Sequence, residues 1–142
     1  MKNVEYFAGF FDGEGSVSVI PHKKYPKSII VMAQISQVDP RPLILAKEIF
    51  GGNLACHKSK KPNGSQGKDI WKWAVTHKDA ENFLQSIQPY VIVKKEQIDI
   101  ALKIRSLIRV RGGNSKQRKL PEKTIEARVA LMSEWKQLKE GI

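Results

Sequence analysis

Two acidic residues, Asp12 and Glu14, stand in the nonapeptide F-A-G-F-F-D-G-E-G at positions 7–15. The pattern predicts a short apolar helix, and both acids fall in the turn that leaves it. The helix dipole is negative at that end and disfavours carboxylates. A hard divalent cation would remove this conflict, since such ions bind carboxylate and backbone carbonyl oxygens. The alternative is a solvated turn in which acids and glycines only end the helix, and the residue types leave both interpretations open.

The same helix has one face without side chains. Gly9 and Gly13 are one helical turn apart, so they lie on the same side. A bare face lets a second helix approach closely. The large apolar residues Phe7, Phe10 and Phe11 lie on the other sides and are expected to anchor the helix in a core.

Composition restricts the class of protein. A chain of 142 residues with 41% hydrophobic residues suits one domain with a real core. The net charge of +11 indicates a polyanionic partner, most simply nucleic acid. The single cysteine, Cys56, excludes an internal disulfide, and the scattered histidines argue against a zinc site. No apolar run approaches the ~20 residues of a membrane span, and no signal-peptide pattern is present. We expect a soluble, intracellular protein without a membrane partner.

The order of elements predicts an α+β fold. After the first helix come strands at 16–20 and 28–37, a helix at 40–50, a hairpin over 53–76, helices at 78–87 and 93–109, and a last helix at 121–138. Asp39 is expected to cap the second helix, with Pro40 at its first position. Segment 112–119 is expected to be a basic flexible link.

Side-chain patterns predict what these elements bury. Trp71, Trp73 and Val75 share one face of a strand by alternation, most simply the core face. In the last helix, apolar residues are expected roughly on one side: Ile125, Val129, Met132, and Trp135 or Leu138.

Two α-β-β units in a small chain imply an antiparallel sheet with helices on one face and the other face open. The hairpin tips, at 21–27 and 58–68, are both basic. A two-stranded ribbon fits the DNA major groove. The architecture is therefore expected to be a concave saddle that binds DNA.

The 7–15 stretch resembles the signature of the LAGLIDADG homing endonucleases, which reads roughly L-A-G-L-I-D-A-D-G. The paired small residues and both acidic positions match, although Glu14 stands where Asp is commoner. With one copy of the motif, the chain resembles the single-motif members, which act as homodimers. The family fold, αββαββα, would cover about 4–111 of a single domain over 1–142, with 112–142 as the basic link and C-terminal helix.

The resemblance implies a function. The chain would be an intron-encoded, site-specific double-strand DNA endonuclease of a prokaryotic cytoplasm or an organelle. It would hydrolyse phosphodiester bonds at a long near-palindromic site and leave 3′ overhangs. Glu14 would hold Mg²⁺ with the Gly13 carbonyl, and Ca²⁺ or Mn²⁺ would substitute in binding or cleavage. The motif helices of two subunits would meet at a dimer interface formed by Phe7, Ala8, Gly9, Phe11, Asp12 and Gly13.

Three further positions match residues that the family places around the scissile phosphate. Gln37 would orient the attacking water, Arg41 would neutralise phosphoryl charge, and Lys94, with Lys95 as fallback, would polarise the phosphate or the water. The alternatives are a turn cap, a solvated first-turn arginine and a surface lysine.

DNA contacts are expected from the outward residues of both hairpins and from the basic link. The predicted set is Ser18, Ile20, His22, Lys24, Ser28, Ile30, Gln34, His57, Lys58, Lys60, Lys61, Lys116, Arg118 and Lys119. Gln34 could pair with adenine, while the lysines more simply hold phosphate. An RNA maturase that assists intron splicing, a non-catalytic DNA-binding regulator on the same fold, and a basic interaction module with no need of Glu14 remain alternatives.

Overall fold

The computed structural model describes residues 2–21, 29–58, 62, 64, 67–109 and 122–140. Its elements are α1 (Lys2–Glu14), β1 (Gly15–Pro21), β2 (Ile29–Gln37), α2 (Arg41–Phe50), β3 (Asn53–His57), β4 (Ile70–Thr76), α3 (His77–Ile87), a 3₁₀ turn (Gln88–Tyr90), α4 (Lys95–Arg109) and α5 (Glu122–Glu140). The predicted α+β order is confirmed. Within these ranges no helix is long and apolar enough to cross a membrane.

The four strands form one antiparallel sheet in the order β1-β2-β4-β3. Gly15 pairs with Ile35, and Gln37 pairs with Trp71. Because β4 starts beside the end of β2, the two hairpins point in opposite directions. The β3–β4 connection therefore leaves the sheet at the end where α1 meets β1.

One face of the sheet is buried under helices. Alternate residues of β2 and β4, among them Ile35, Trp73 and Val75, are fully buried there, and Trp71 is half-buried on the same face. The Trp73 indole Nε1 donates to the Gly51 carbonyl at 2.8 Å. The prediction that these tryptophans and Val75 share one face is confirmed, and the structure shows that it is the core face rather than the DNA face, a choice that the sequence left open. Phe83 of α3 contacts the rings of Phe11, Phe50 and Trp73 at centroid distances of 5.4, 4.8 and 5.0 Å.

Two local predictions need correction, and two others fall on residues outside the described ranges. Helix α2 begins one residue late, with Pro40 at the N-cap, while the Asp39 carboxylate accepts the Arg41 N–H at 3.0 Å. In α5, Val129 is 64% exposed, because this helix packs against α4 at the rim of the domain and only a narrow side, centred on Trp135, is covered. Segment 112–119 and the side chain of Ile125 lie outside the described residues.

Gly15 joins α1 to β1 at a position with no room for a side chain. A Cβ there would lie 2.1 Å from Cδ2 of Phe11, whose ring is fully buried. We expect Gly15→Ala to lower the free energy of unfolding by about 1–3 kcal/mol, the usual cost of overpacking a core. Urea titration measures it. Ser16→Ala, one residue further on the open face, is the control. Equal stability of both variants would contradict the close fit.

Candidate active site at the end of the first helix

The carboxylate of Asp12 binds a distant segment of the same chain. Its two oxygens accept the backbone N–H groups of Ile92, Val93 and Lys94 at 2.9, 3.0 and 2.9 Å. Burial raises the pKa of Asp12, but the bonds from Val93, Ile92 and Lys94 and the Lys94 charge outweigh it, so the pKa lies below its ordinary value. For Asp12, the backbone N–H groups of this segment and the charge of Lys94 therefore resolve the expected conflict of charge at this helix end.

We call the contact between Asp12 and the 92–94 segment the junction. Lys94 adds a second bond to it. Its ammonium Nζ donates to the main-chain carbonyl of Asp12 at 2.8 Å. This carbonyl belongs to the last turn of α1, where the orphan acceptors and the dipole both favour a cation. Lys94 is thus held at the helix end that carries Glu14, as the predicted site requires.

Glu14 is the remaining acid at this junction. It is exposed, ends α1, and makes no hydrogen bond or ion pair to any residue that the structure describes. Glu14 directly precedes Gly15, which pairs with Ile35 at the start of the β1–β2 ladder. Gly13, just before it, is exposed, and nothing lies within 4 Å of where its Cβ would be. Its carbonyl and the Glu14 carboxylate are oxygen donors of the kind that hard cations take.

Gln37 reaches the same end of the sheet. It is the last residue of β2, two residues beyond the Gly15–Ile35 pair, and it pairs with Trp71 of β4. Its Oε1 accepts the Val38 N–H at 3.0 Å, so this side chain does cap the turn after β2, which was its simpler interpretation.

Arg41 is paired with Asp39. Its Nε donates to both carboxylate oxygens at 3.0 Å, and the two side chains are 86% and 45% exposed. The Arg41 side chain and then its backbone N–H lower the pKa of Asp39 to about 2. The guanidinium is therefore engaged by a neighbouring acid, and a phosphate at this place would compete with Asp39 for it.

A second lysine, missed in the sequence, also approaches the junction. Lys139 of α5 lies over the Trp135 ring, with Nζ 5.1 Å from the centroid. Burial and then the Lys94 charge lower the pKa of Lys139. In the sequence, the Trp-x-x-x-Lys spacing is the one signal for the contact between Lys139 and Trp135, since residues i and i+4 share a helical face.

The predicted dimer interface is wrong for three of its six residues. Phe7, Ala8 and Phe11 have no exposed surface, because they form the core beneath α1 within a single chain. The carboxylate of Asp12 is likewise engaged within the chain. Gly9 and Gly13 are exposed, and open space surrounds both. For Gly9 and Gly13 a dimer interface stays a prediction.

The described part of the predicted DNA-contact set shares one surface. Ser18, Ile20, Ile30 and Gln34 lie on the uncovered face by their pairing, and His57 and Lys58 are exposed where β3 ends. The other predicted contacts lie outside the described residues: His22, Lys24, Ser28, Lys60, Lys61, Lys116, Arg118 and Lys119. Within the described ranges no group of three His, Cys, Asp or Glu side chains could hold a metal ion.

Solved structures share this architecture, whereas no protein-family model and no curated protein matches the chain. An archaeal intron-encoded homing endonuclease, I-Vdi141I, complexed with DNA, aligns with a TM-score of 0.68 and 23% identity over 96% of this chain and 83% of that chain. The homing endonuclease I-CvuI, in complex with a DNA target, aligns at 0.57 and 15% over 93% and 95%.

A third structure, the LAGLIDADG meganuclease I-CpaMI bound to uncleaved DNA, aligns with a TM-score of 0.65 and 20% identity. The alignment covers 90% of this chain but 42% of that one, so the chain spans less than half of that protein. The resemblance in the 7–15 motif and the superposition of the whole architecture agree: the chain has the fold of the LAGLIDADG homing endonucleases.

Proposed function

We propose that the protein is a site-specific DNA endonuclease that acts as a homodimer with Mg²⁺. The observation that carries the proposal is Glu14 at the end of α1: it is exposed, it has no partner among the described residues, and it ends the helix to which Lys94 is tethered. The net charge of +11 favours a polyanionic substrate. The relatives with this fold are described as DNA-bound homing endonucleases.

The oxygen donors at the junction fit a hard cation. Each chain offers the Glu14 carboxylate and the Gly13 carbonyl, and Mg²⁺ typically takes one or two carboxylates and keeps several waters. Structures of I-CvuI with DNA were obtained with Mg or with Ca. When bound, the ion would supply an activated water and neutralise phosphoryl charge.

The other side chains have defined tasks in this proposal. Lys94, held by the Asp12 carbonyl, contributes positive charge next to the phosphate. Gln37 orients the attacking water with its amide. Arg41 exchanges Asp39 for a phosphoryl oxygen, which its forked guanidinium can bind through two hydrogen bonds. A double-strand break requires two such centres, which a dimer provides.

The surface around Gly9 and Gly13 supports the dimer. Tyr6 on the same side of α1 is 50% exposed, and the neighbouring Ile92 and Val93 are 81% and 69% exposed. Exposed aliphatic side chains around a bare helical face are typical of an interface between subunits.

We expect Gly9→Leu to break the dimer without unfolding the chain. A Cβ at position 9 has nothing within 4 Å among the described residues, and a leucine there would fill the space that a second helix needs. The dissociation constant of the dimer should rise about 100-fold. Analytical ultracentrifugation should give a mass near 16.1 kDa instead of twice that value. Glu48→Leu on the exposed side of α2 is the matched control. A dimeric Gly9→Leu protein would show that α1 does not form the interface.

Selection from a randomised, near-palindromic duplex library tests the activity. The protein should cleave one family of sites in both strands with Mg²⁺ and bind the same sites uncut with Ca²⁺. Sequencing of the ends should show 3′ overhangs. Enrichment without cleavage would indicate a DNA-binding regulator, and failure to enrich any duplex would make structured intron RNA the next substrate to test.

A further inference from the structure

The uncovered face of the sheet carries an unusual set of side chains for a surface that meets DNA. Its described residues include the apolar Ile20, Ile30, Met32 and Ile70, the amides Gln34 and Asn53, one histidine, His57, and one lysine, Lys72. Serines, threonine and alanines fill most of the remaining positions. Arginine, aspartate and glutamate are absent from the paired positions of this face.

The cross-strand pairs group these side chains by chemistry. Ile20 pairs with Ile30, and Met32 pairs with Ser18, which makes an apolar end near the β1–β2 tip. Gln34 pairs with Ser16 on one side and with Ala74 on the other, and Ala74 pairs with Asn53. Lys72 pairs with Ser36, near the end of the sheet where Glu14 lies.

Each kind of side chain reads a different base edge in the major groove. Arginine and lysine pair with guanine, acids accept from cytosine, glutamine and asparagine pair with adenine, and apolar groups contact the thymine methyl. The described face therefore carries groups for adenine and thymine at most of its positions, and for guanine at one.

Gln34 adds a second, independent observation. Its Oε1 is covered and has no hydrogen-bond partner among the described residues. A buried acceptor without a partner costs free energy. Rotation about the side-chain torsions brings the amide to the surface, where the N6 amino group of adenine supplies the missing donor and N7 accepts from Nε2.

We propose that the half-site read by this face is rich in A·T pairs, with one G·C pair specified by Lys72 near the scissile centre. The inference rests on the proposed DNA endonuclease function and adds the sequence class of its substrate. The nine residues of β2 span on the order of 30 Å, about the length of nine stacked base pairs. The G·C pair should lie at the inner end of this segment, because Lys72 lies at the Glu14 end of the sheet.

Binding selection in Ca²⁺ with a duplex library randomised over both half-sites tests the proposal. Wild type should enrich A·T at most positions of the half-site and G·C at one inner position. Lys72→Ala should lose the G·C preference alone. Met32→Arg should acquire a guanine preference of roughly tenfold at one outer position. Gln85→Arg, which adds the same charge on the exposed surface of α3, should leave the selected sequence unchanged.

The outcomes separate this inference from the proposed function. A defined site with G·C at most half-site positions would overturn the A·T assignment and leave a DNA-binding enzyme in place. An unchanged sequence with Met32→Arg would show that this face does not read bases. Failure to enrich any duplex would remove the endonuclease proposal and the inference together.

Discussion

Glu14→Gln should bind the selected DNA site with Ca²⁺ as wild type does, yet cleave it with Mg²⁺ about 10³-fold more slowly. The substitution keeps the size of the side chain and removes the charge that would hold the metal. Loss of metal-based charge stabilisation costs several kcal/mol of the barrier, and each 1.36 kcal/mol is a factor of ten. Single-turnover cleavage on a labelled duplex measures the rate, and a binding titration in Ca²⁺ measures the affinity.

A thermal readout tests the same residue without cleavage. Since a ligand that binds only the folded state raises its stability, Mg²⁺ or Ca²⁺ should raise the melting temperature of wild type but not of Glu14→Gln. Glu48→Gln, an exposed acid on α2, should behave as wild type in both assays. Equal metal-induced shifts in wild type and Glu14→Gln would exclude Glu14 as a ligand.

The second large effect concerns stability. Asp12→Ala should lower the free energy of unfolding by about 2–4 kcal/mol, because it removes charge-assisted bonds to three backbone N–H groups. Asp12→Asn, which keeps one acceptor oxygen and loses the charge, should lie in between. Denaturant unfolding measures both. A loss below 1 kcal/mol in Asp12→Ala would show that water replaces these bonds at little cost.

The same group predicts a pH dependence. The pKa of Asp12 in the folded chain lies below its ordinary value of 3.8, so the folded state prefers the carboxylate. The stabilisation is therefore complete above about pH 4 and is lost as the pH falls through the folded pKa. The stability difference between wild type and Asp12→Asn should be constant from pH 5 to 7 and shrink in stronger acid. A difference that grows in acid would contradict the charge-assisted bonds.

The helices and strands were predictable from the local sequence pattern, whereas the contacts between distant segments were not. Alternation in β2 and β4 set the covered face correctly, including the placement of Trp73, because a strand with one buried face has a period of two residues. The hydrogen-bond partners of Asp12 could not be predicted from the sequence. They are backbone N–H groups about 80 residues away, and almost every residue has such a group.

The first helix shows the same limit in its packing. Its pattern predicted an apolar helix, but the assignment of Phe7 and Phe11 to a second subunit depended on which side faced the sheet. The sequence placed Phe7 and Phe11 both in the core and at the dimer interface, because their pattern alone does not show whether the apolar side of α1 packs within the chain or between chains. The open space at Gly9 and Gly13 does separate these two kinds of packing.

The bonds between Asp12 and the 92–94 segment can form only after residues 92–94 have been synthesised. At 5–20 residues per second, a ribosome needs roughly 4–16 s after making Asp12 to deliver its partners. Until then Lys94 does not exist, the end of α1 lacks its support, and Glu14 has no neighbouring cation. Such distant contacts form late and slowly in folding. A chain that ends before residue 92 would therefore lack the bonds that hold the end of α1.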